Sequence, residues 1–169
     1  SLLQLGRDAL ESGDFQAAAE AYRRALQENP DDPNALCDLG IALMLLGQWA
    51  AAADATESFL RSCPKDIMGW IRLGMNRREA GDLQKGKDAI KRALRLEPGH
   101  PIAWKELGVC YLAQGKIDQG RESLRRALDV KPSYVAACCA LGETYEVEGE
   151  TSRAMKIYMR GLDATRSEK

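Results

Sequence analysis

The chain has 169 residues and a formal net charge of −1 at pH 7, with 45% hydrophobic and 29% charged residues. These values are normal for a soluble helical protein. No apolar run reaches the roughly 18 residues that a membrane-spanning helix needs, which excludes a membrane span. The sequence starts at Ser1, without an initiator methionine or a signal-peptide pattern, and we expect it to be a segment of a longer protein.

The first 32 residues predict two helices joined by a tight turn. Leu2 and Leu5 lie at helical spacing before Gly13, and Tyr22 continues an apolar pattern after it. Glycine adopts positive φ at little cost, so Gly13 marks the turn. Pro30 follows the last periodic residue and ends the second helix.

The same pattern returns every 34 residues until the end of the chain. The turn glycine recurs as Gly47, Gly81, Gly115 and Gly149. The fourth copy contains the most complete set of recurring residues, namely Trp104, Leu107, Gly108, Tyr111, Gly115, Gly120, Ala127 and Pro132. Five copies therefore fill the sequence.

This 34-residue period, with Trp, Leu-Gly, Tyr, Ala and Pro at these spacings, resembles the tetratricopeptide repeat (TPR) family. The resemblance covers all five copies. It implies an all-α fold, an α-solenoid (the TPR superhelix) of five antiparallel helix pairs, whose members we call A and B. It also implies a single domain over residues 1–169, with repeats at about 1–32, 33–66, 67–100, 101–134 and 135–169.

Prolines and acidic residues predict the helix ends. Asp32 and Asp66 each precede a first helical residue and are typical N-caps, whereas His100 is not a strong one. In the fifth repeat Arg166 replaces the proline, so the last helix is expected to end less sharply or to run on. The prolines that end the other B helices are Pro30, Pro64, Pro98 and Pro132.

Small and large residues at fixed positions predict close packing within a pair. Gly86 and Gly120 lie inside helices, where glycine costs about 0.5–1 kcal/mol relative to alanine. We expect closer contact between the helices to offset that cost. Trp104 is expected to be buried, so that its truncation to alanine costs roughly 3–5 kcal/mol.

The five cysteines form no CxxC pair. Cys37 and Cys138 occupy the Leu or Trp position of their repeats, and Cys139 follows directly. We interpret the cysteines as small apolar residues in a reducing compartment, which predicts a cytoplasmic protein. A redox role for the adjacent pair is the alternative.

Groups that carry catalysis or bind metals and nucleotides are sparse. The sole histidine, His100, stands before a proline in a loop, and no Cys/His or His/acid cluster has the spacing of metal ligands. Neither GxxxxGK[ST] nor GxGxxG occurs. We therefore predict that the chain is not an enzyme and uses no cofactor and no metal.

Charge is distributed unevenly, with a net −4 in the first repeat, +4 in the third and +2 in the fourth. Stacked B helices would align the basic residues as a ridge on the outer face. This basic ridge is interpreted as solvated surface, as a docking site for an acidic partner, including the first repeat of a second copy, or as a site for an anionic membrane or nucleic acid. No aromatic residues interleave with it, which argues against stacking on single-stranded bases. The ridge consists of Lys87, Lys91, Arg92, Arg121, Arg125 and Arg126.

In TPR arrays the ligand usually lies along the A helices, at positions two, five, nine and twelve of each repeat. Carried over to this chain, those positions are mostly apolar and rich in methionine, which adapts to varied partners. An amphipathic helix or an apolar extended peptide fits such a groove, unless neighbouring side chains cover it. The predicted groove residues are Asn34, Cys37, Ile41, Met44, Met68, Ile71, Met75, Arg78, Ile102, Lys105, Val109, Leu112 and Glu143, with Glu146 at its edge.

The last B helix differs from the others at its outer positions. Met155 and Met159 stand where earlier repeats have lysine or arginine. TPR arrays generally finish with a polar capping helix, so these methionines predict either a missing cap or an interface with another molecule.

The leading prediction is a non-catalytic protein-interaction scaffold that binds a protein or peptide ligand in the apolar groove, with no nucleic acid expected as a partner. The second is a self-assembling homo-oligomeric scaffold, of the kind found among TPR proteins of bacterial organelle coats such as those on magnetosomes. The third is a substrate-docking segment of a larger enzyme.

Overall fold

The computed structural model describes residues 1–167 of the chain, and these residues form helices joined by short turns, without a strand. Odd-numbered helices are the A helices and even-numbered ones the B helices of successive repeats. The helices are α1 (Leu2–Glu11), α2 (Phe15–Glu28), α3 (Pro33–Leu45), α4 (Trp49–Ser62), α5 (Ile67–Glu79), α6 (Leu83–Leu96), α7 (Pro101–Ala113), α8 (Ile117–Val130), α9 (Val135–Val147) and α10 (Thr151–Ser167). The predicted all-α solenoid of helix pairs is confirmed.

The turns within the pairs have the predicted geometry. Every turn glycine has a positive φ, between 70° and 91°, and no other described residue does. A side chain is strained in this region of backbone conformation, so glycine is the residue that lets B fold back directly after A. These glycines are Gly13, Gly47, Gly81, Gly115 and Gly149.

The helix starts follow the cap prediction, with one addition. The Asp32 carboxylate accepts from the backbone N–H groups of Asn34 and Ala35, at 2.8 and 3.2 Å, and the Asp66 carboxylate accepts from Gly69. His100, which is not predicted to be a strong cap, also forms a cap hydrogen bond, in which its Nδ1 accepts from the N–H of Ala103 at 3.3 Å. The imidazole thus serves as a helix cap.

The helices of a pair run antiparallel and approach closely at small residues. A Cβ added to Gly120 would lie 2.7 Å from Leu112 Cγ, and one added to Gly108 would lie 2.8 Å from Leu124 Cγ. Leu112 and Gly120, near the turn, thus face each other, and so do Gly108 and Leu124, farther from it, as in an antiparallel pair. Room for this approach exists because two glycines face each other where α7 and α8 pack.

A hydrogen bond from a tryptophan joins one repeat to the next. Trp70 Nε1 donates to the carbonyl of Pro64 at 2.9 Å, and Trp104 Nε1 donates to the carbonyl of Pro98 at 2.7 Å. The expectation that Trp104 is buried is wrong, since this residue is only half-buried. It spans the loop between B and the next A, where its polar N–H has to reach an acceptor.

The chain divides into two compact units, residues 1–89 and the residues from Ile90 onward, with the division inside α6. The first unit contains two apolar clusters, one around Tyr22 and Leu43 and one around Phe59 and Leu73. The second unit contains a cluster around Leu124 and Leu141. That residues 1–169 form a single domain stays a prediction.

Gly86 provides a test of the close approach. A methyl group there would lie 2.8 Å from the Gly74 carbonyl oxygen and 3.1 Å from the Arg78 nitrogen, both backbone atoms that cannot turn aside. We expect Gly86→Ala to lower the free energy of unfolding by about 1–3 kcal/mol, the usual cost of overpacking. This loss outweighs the gain of about 0.5–1 kcal/mol in helix propensity. Urea unfolding followed by circular dichroism measures the difference.

The matched control is Gly99→Ala, because no atom lies within 4 Å of a Cβ at that position. Its unfolding midpoint should stay near that of the unsubstituted protein. A Gly86→Ala protein that is as stable as the control or more stable would contradict the assignment of Gly86 to a packing contact.

Candidate functional site

The predicted groove positions of the first unit lie on α3 and α5, and most of them are accessible. Asn34 and Met68 are exposed, and Met75 is half-buried. Ile71 differs, since its side chain is 0% exposed. Its inclusion among ligand-contacting residues is therefore wrong, and the packing of this repeat makes it a core residue. The remaining positions, all half-buried, are Cys37, Ile41, Met44 and Arg78.

The groove positions of the second unit lie on α7 and α9. The α7 residues are half-buried, whereas Glu143 and Glu146 on α9 are exposed. The apolar surface at the α7 positions is therefore partly covered, in agreement with the alternative that neighbouring side chains cover part of the groove. The α7 residues are Ile102, Lys105, Val109 and Leu112.

The charged groups at the edge of the groove positions already have partners within the chain. Arg78 Nη2 lies 2.8 Å from Glu79 Oε1, and Lys105 pairs with the buried carboxylate of Glu106. Such pairs leave less charge available to a ligand than the sequence suggests.

Glu146 is also engaged, since it accepts a hydrogen bond from the Tyr158 hydroxyl at 2.8 Å. Desolvation and then this carboxylate raise the pKa of Tyr158 to about 12. The phenol therefore stays protonated, and remains a donor to Glu146, to a higher pH than an ordinary tyrosine does.

Two cysteines on the A helices are held in the thiol form. Burial is the main cause that raises the pKa of both the Cys37 and the Cys138 thiols, and it outweighs the nearby Arg72 and Arg160. Arg72 Nη2 donates to Cys37 Sγ at 3.3 Å. A raised pKa lowers the thiolate fraction and with it the nucleophilicity, which fits the interpretation of these cysteines as packing residues.

The basic ridge is not the continuous solvated row that the sequence predicts. Lys87 and Arg121 are 7% and 8% exposed, so their assignment to an exposed ridge is wrong. Arg121 lies across the next repeat instead. Its Nη2 donates to the Thr144 carbonyl at 2.8 Å and to Glu148 Oε2 at 2.7 Å. This arginine joins α8 to α9.

Aromatic side chains of A helices contact three of the other cations of the ridge, although no aromatic residue interleaves with the ridge in the sequence. Lys91 Nζ lies 5.9 Å from the centre of the Tyr111 ring, and the Arg126 guanidinium lies 4.9 Å from that of Trp104. Arg125 Nη2 donates to the Tyr145 hydroxyl at 2.6 Å. Arg92 remains exposed. These cation–π contacts and hydrogen bonds give the ridge a structural role.

A cavity of about 660 Å³ opens between α6, α7 and α8 in the second unit. Trp104, Leu107 and Tyr111 line it from α7, and charged residues of α6 and α8 surround them. Sequence reasoning missed this cavity, because it assigned the α7 residues to the core. The surrounding charged residues are Lys91, Arg95, Asp118, Glu122 and Arg126.

The last B helix is apolar on its outer side, as predicted. Met155 is 58% exposed and Met159 is 55% exposed. Leu162, one turn farther, is also exposed. Sequence reasoning missed this leucine, although its spacing of three and seven residues from the two methionines was visible.

Within residues 1–167, no cluster of three or more His, Cys, Asp or Glu side chains is arranged to hold a metal ion. The helices of this part of the chain also lack the combination of length and apolar character that crossing a membrane requires.

Comparison with known proteins identifies the repeat. One family model described as tetratricopeptide repeat matches residues 3–67 and 111–168, and a second with the same description matches residues 77–128. No curated protein matches the sequence.

Several solved structures have a similar fold. MamA is 25% identical with a TM-score of 0.83, over 97% of this chain and 96% of that one. A thermophilic TPR protein of Thermus thermophilus is 26% identical with a TM-score of 0.76, over 96% and 89%. The pilF protein of Pseudomonas aeruginosa is 19% identical with a TM-score of 0.79, over 96% and 74%, and shows likeness of fold alone.

The matched segments and the helix pairs with their glycine turns agree on one assignment. This chain belongs to the tetratricopeptide repeat family, and its fold is that of a protein-interaction scaffold.

Proposed function

We propose that this protein binds a peptide or an amphipathic helix against the apolar faces of its A helices. The observation that carries the proposal is the accessible methionine-rich surface of the first unit. Met68 on α5 is 40% exposed, Met75 on the same helix is half-buried, and Ile41 and Met44 on α3 are half-buried too. A group of apolar side chains that stays accessible in a folded protein is typical of an interaction site.

Methionine sets the class of ligand. Its unbranched, polarisable side chain takes up different rotamers and fits apolar surfaces of different shape. A ligand with apolar residues at spacings of three and four, or an extended apolar strand, meets this requirement. Specificity then comes from the shape of the apolar contact and from a few polar groups at its edge.

The edge charges argue for a ligand that binds mainly through apolar contact. Because Arg78 and Lys105 are already paired with Glu79 and Glu106, an acidic ligand group has to displace an existing partner. The energy gained by such an exchange is small near the surface. Asn34 remains exposed and is available to hydrogen-bond a ligand backbone.

Met75 tests the groove directly. Peptides selected from a phage-displayed random library on the unsubstituted protein serve as probes. We expect Met75→Glu to weaken binding of a selected peptide by about tenfold or more, because a carboxylate loses its hydration when an apolar ligand covers it. Fluorescence polarisation with the labelled peptide measures the change.

Val130→Glu is the matched control, because it places the same carboxylate at an exposed apolar residue on α8, outside the groove positions. Circular dichroism shows whether both variants stay folded. Equal affinity of Met75→Glu and the unsubstituted protein for each selected peptide would rule out the groove assignment.

A second candidate function is self-assembly, and the exposed Met155 and Met159 favour it. Both follow helical spacing on one side of α10, so they form a short apolar stripe rather than scattered exposed residues. Covering such a stripe with a second molecule removes apolar surface from water, which favours association. The third possibility, a docking segment of a larger enzyme, stays a prediction, as does a cytoplasmic location.

Self-assembly predicts a mass that depends on concentration. Light scattering after gel filtration should give the 18.6 kDa of one chain at low concentration and larger values as concentration rises. Because the stripe is apolar, the larger species should persist at high salt, where exposed charge pairs are screened. A single 18.6 kDa species at all concentrations would contradict self-assembly.

A further inference from the structure

The outer side of α10 exposes a position that is buried in every earlier repeat. Met155 is 58% exposed, whereas the residues at steps of 34 before it are at most 8% exposed. These equivalents are Arg121, Lys87, Ala53 and Ala19. The position is therefore one that this fold normally covers.

The outer side of α1 shows the same contrast. Leu5 is 55% exposed, whereas the leucines at steps of 34 after it are at most 7% exposed. These equivalents are Leu39, Leu73, Leu107 and Leu141. An exposed leucine at an otherwise buried position is the counterpart of the exposed methionine on α10.

Within the chain, the equivalents of these two sides pack against each other. Leu60 of α4 and Leu73 of α5 belong to one apolar cluster, and Leu128 of α8 and Leu141 of α9 belong to another. Leu60 and Leu128 are the equivalents of Leu162, which is 62% exposed on α10. The internal junction thus consists of the B side that α10 exposes and the A side that α1 exposes.

A pair of positions where B meets the next A is apolar at both ends of the chain. In the α4–α5 and α8–α9 junctions these positions hold polar partners: Glu57 Oε2 lies 2.6 Å from Arg77 Nη2, and Arg125 Nη2 donates to the Tyr145 hydroxyl at 2.6 Å. The corresponding residues at the two ends are Met159 and Ala9. Both partners are apolar there, so the end positions suit each other.

We propose that α10 of one copy packs on α1 of a second copy and forms a junction like those between repeats. This inference rests on the self-assembly proposed above and names the two surfaces that form it. Met155, Met159 and Leu162 cover Leu5 and Ala9 of the next copy. The contact is head-to-tail, since different sides of the two copies meet, and it builds rings or open filaments rather than closed dimers.

Charge favours this arrangement over a symmetric contact between two α10 helices. Helix α1 contains one basic and two acidic residues, whereas α10 contains four basic residues and one acidic residue. Two α10 helices side by side would bring the basic residues together, which costs free energy, while α10 beside α1 brings charges of opposite net sign together. The basic residues are Arg153, Lys156, Arg160 and Arg166.

The test uses two variants that each remove one of the surfaces. Leu5→Glu places a carboxylate on the α1 side, and Met155→Glu places one on the α10 side. Each variant alone should lose assembly and give 18.6 kDa by sedimentation velocity, at concentrations where the unsubstituted chain forms larger species. Mixed in equal amounts, they should form a species of about twice that mass and no larger, because one intact α10 meets one intact α1.

Val147→Glu is the control, because it makes an apolar-to-glutamate change at a residue that is 89% exposed and whose equivalents are exposed too. It should assemble like the unsubstituted chain. Formation of a dimer in the mixture also demonstrates that both variants are folded.

Three results overturn the proposal. If the mixed variants stay at 18.6 kDa while the unsubstituted chain assembles, self-assembly stands and the α10–α1 contact is wrong. If either variant alone assembles normally, the contact is likewise wrong. If the unsubstituted chain is monomeric at all concentrations, both self-assembly and the α10–α1 contact are wrong, and α10 is covered by another segment or partner.

Discussion

The burial of leucines where each B helix meets the next A helix is the contact on which the rest of this structure depends. One helix pair has apolar residues on both of its sides and cannot cover them alone. Leu60 with Leu73, and Leu128 with Leu141, show the solution within each unit. Fully burying such a side chain contributes about 1.5–3 kcal/mol, so each junction supplies stability that neither repeat has by itself.

Polar contacts around the leucines differ from junction to junction. The carbonyl that follows a B helix accepts from Trp70 or Trp104 in two junctions, whereas in the last one Cys138 replaces the tryptophan and Arg160 Nε donates to the Pro132 carbonyl at 3.2 Å. The carbonyl has a hydrogen-bond donor in each of these three junctions. The backbone can therefore repeat while the side chains around it change.

Periodicity predicts the fold well because it states which side of a helix faces its partner. The turn glycines and the Asp66 cap follow from local rules alone. The candidate surfaces follow less well, because exposure depends on what the neighbouring repeat places over a residue. Ile71 stands at a groove position yet is buried, and Arg121 stands on the predicted ridge yet reaches over Tyr145 to Thr144 and Glu148. No 34-residue pattern contains this information.

The same reasoning explains why the cavity beside α7 was invisible in the sequence. Trp104 and Tyr111 occupy positions that normally belong to a core, and each has a cation near its ring. Arg126 stacks on Trp104, whereas its equivalent Arg160 turns to backbone carbonyls in the next repeat. The conformation of this arginine thus differs between the repeat that contains the open apolar cavity and the next repeat. Accessible surfaces in such a chain are formed by side chains that the leucine junctions leave unconstrained.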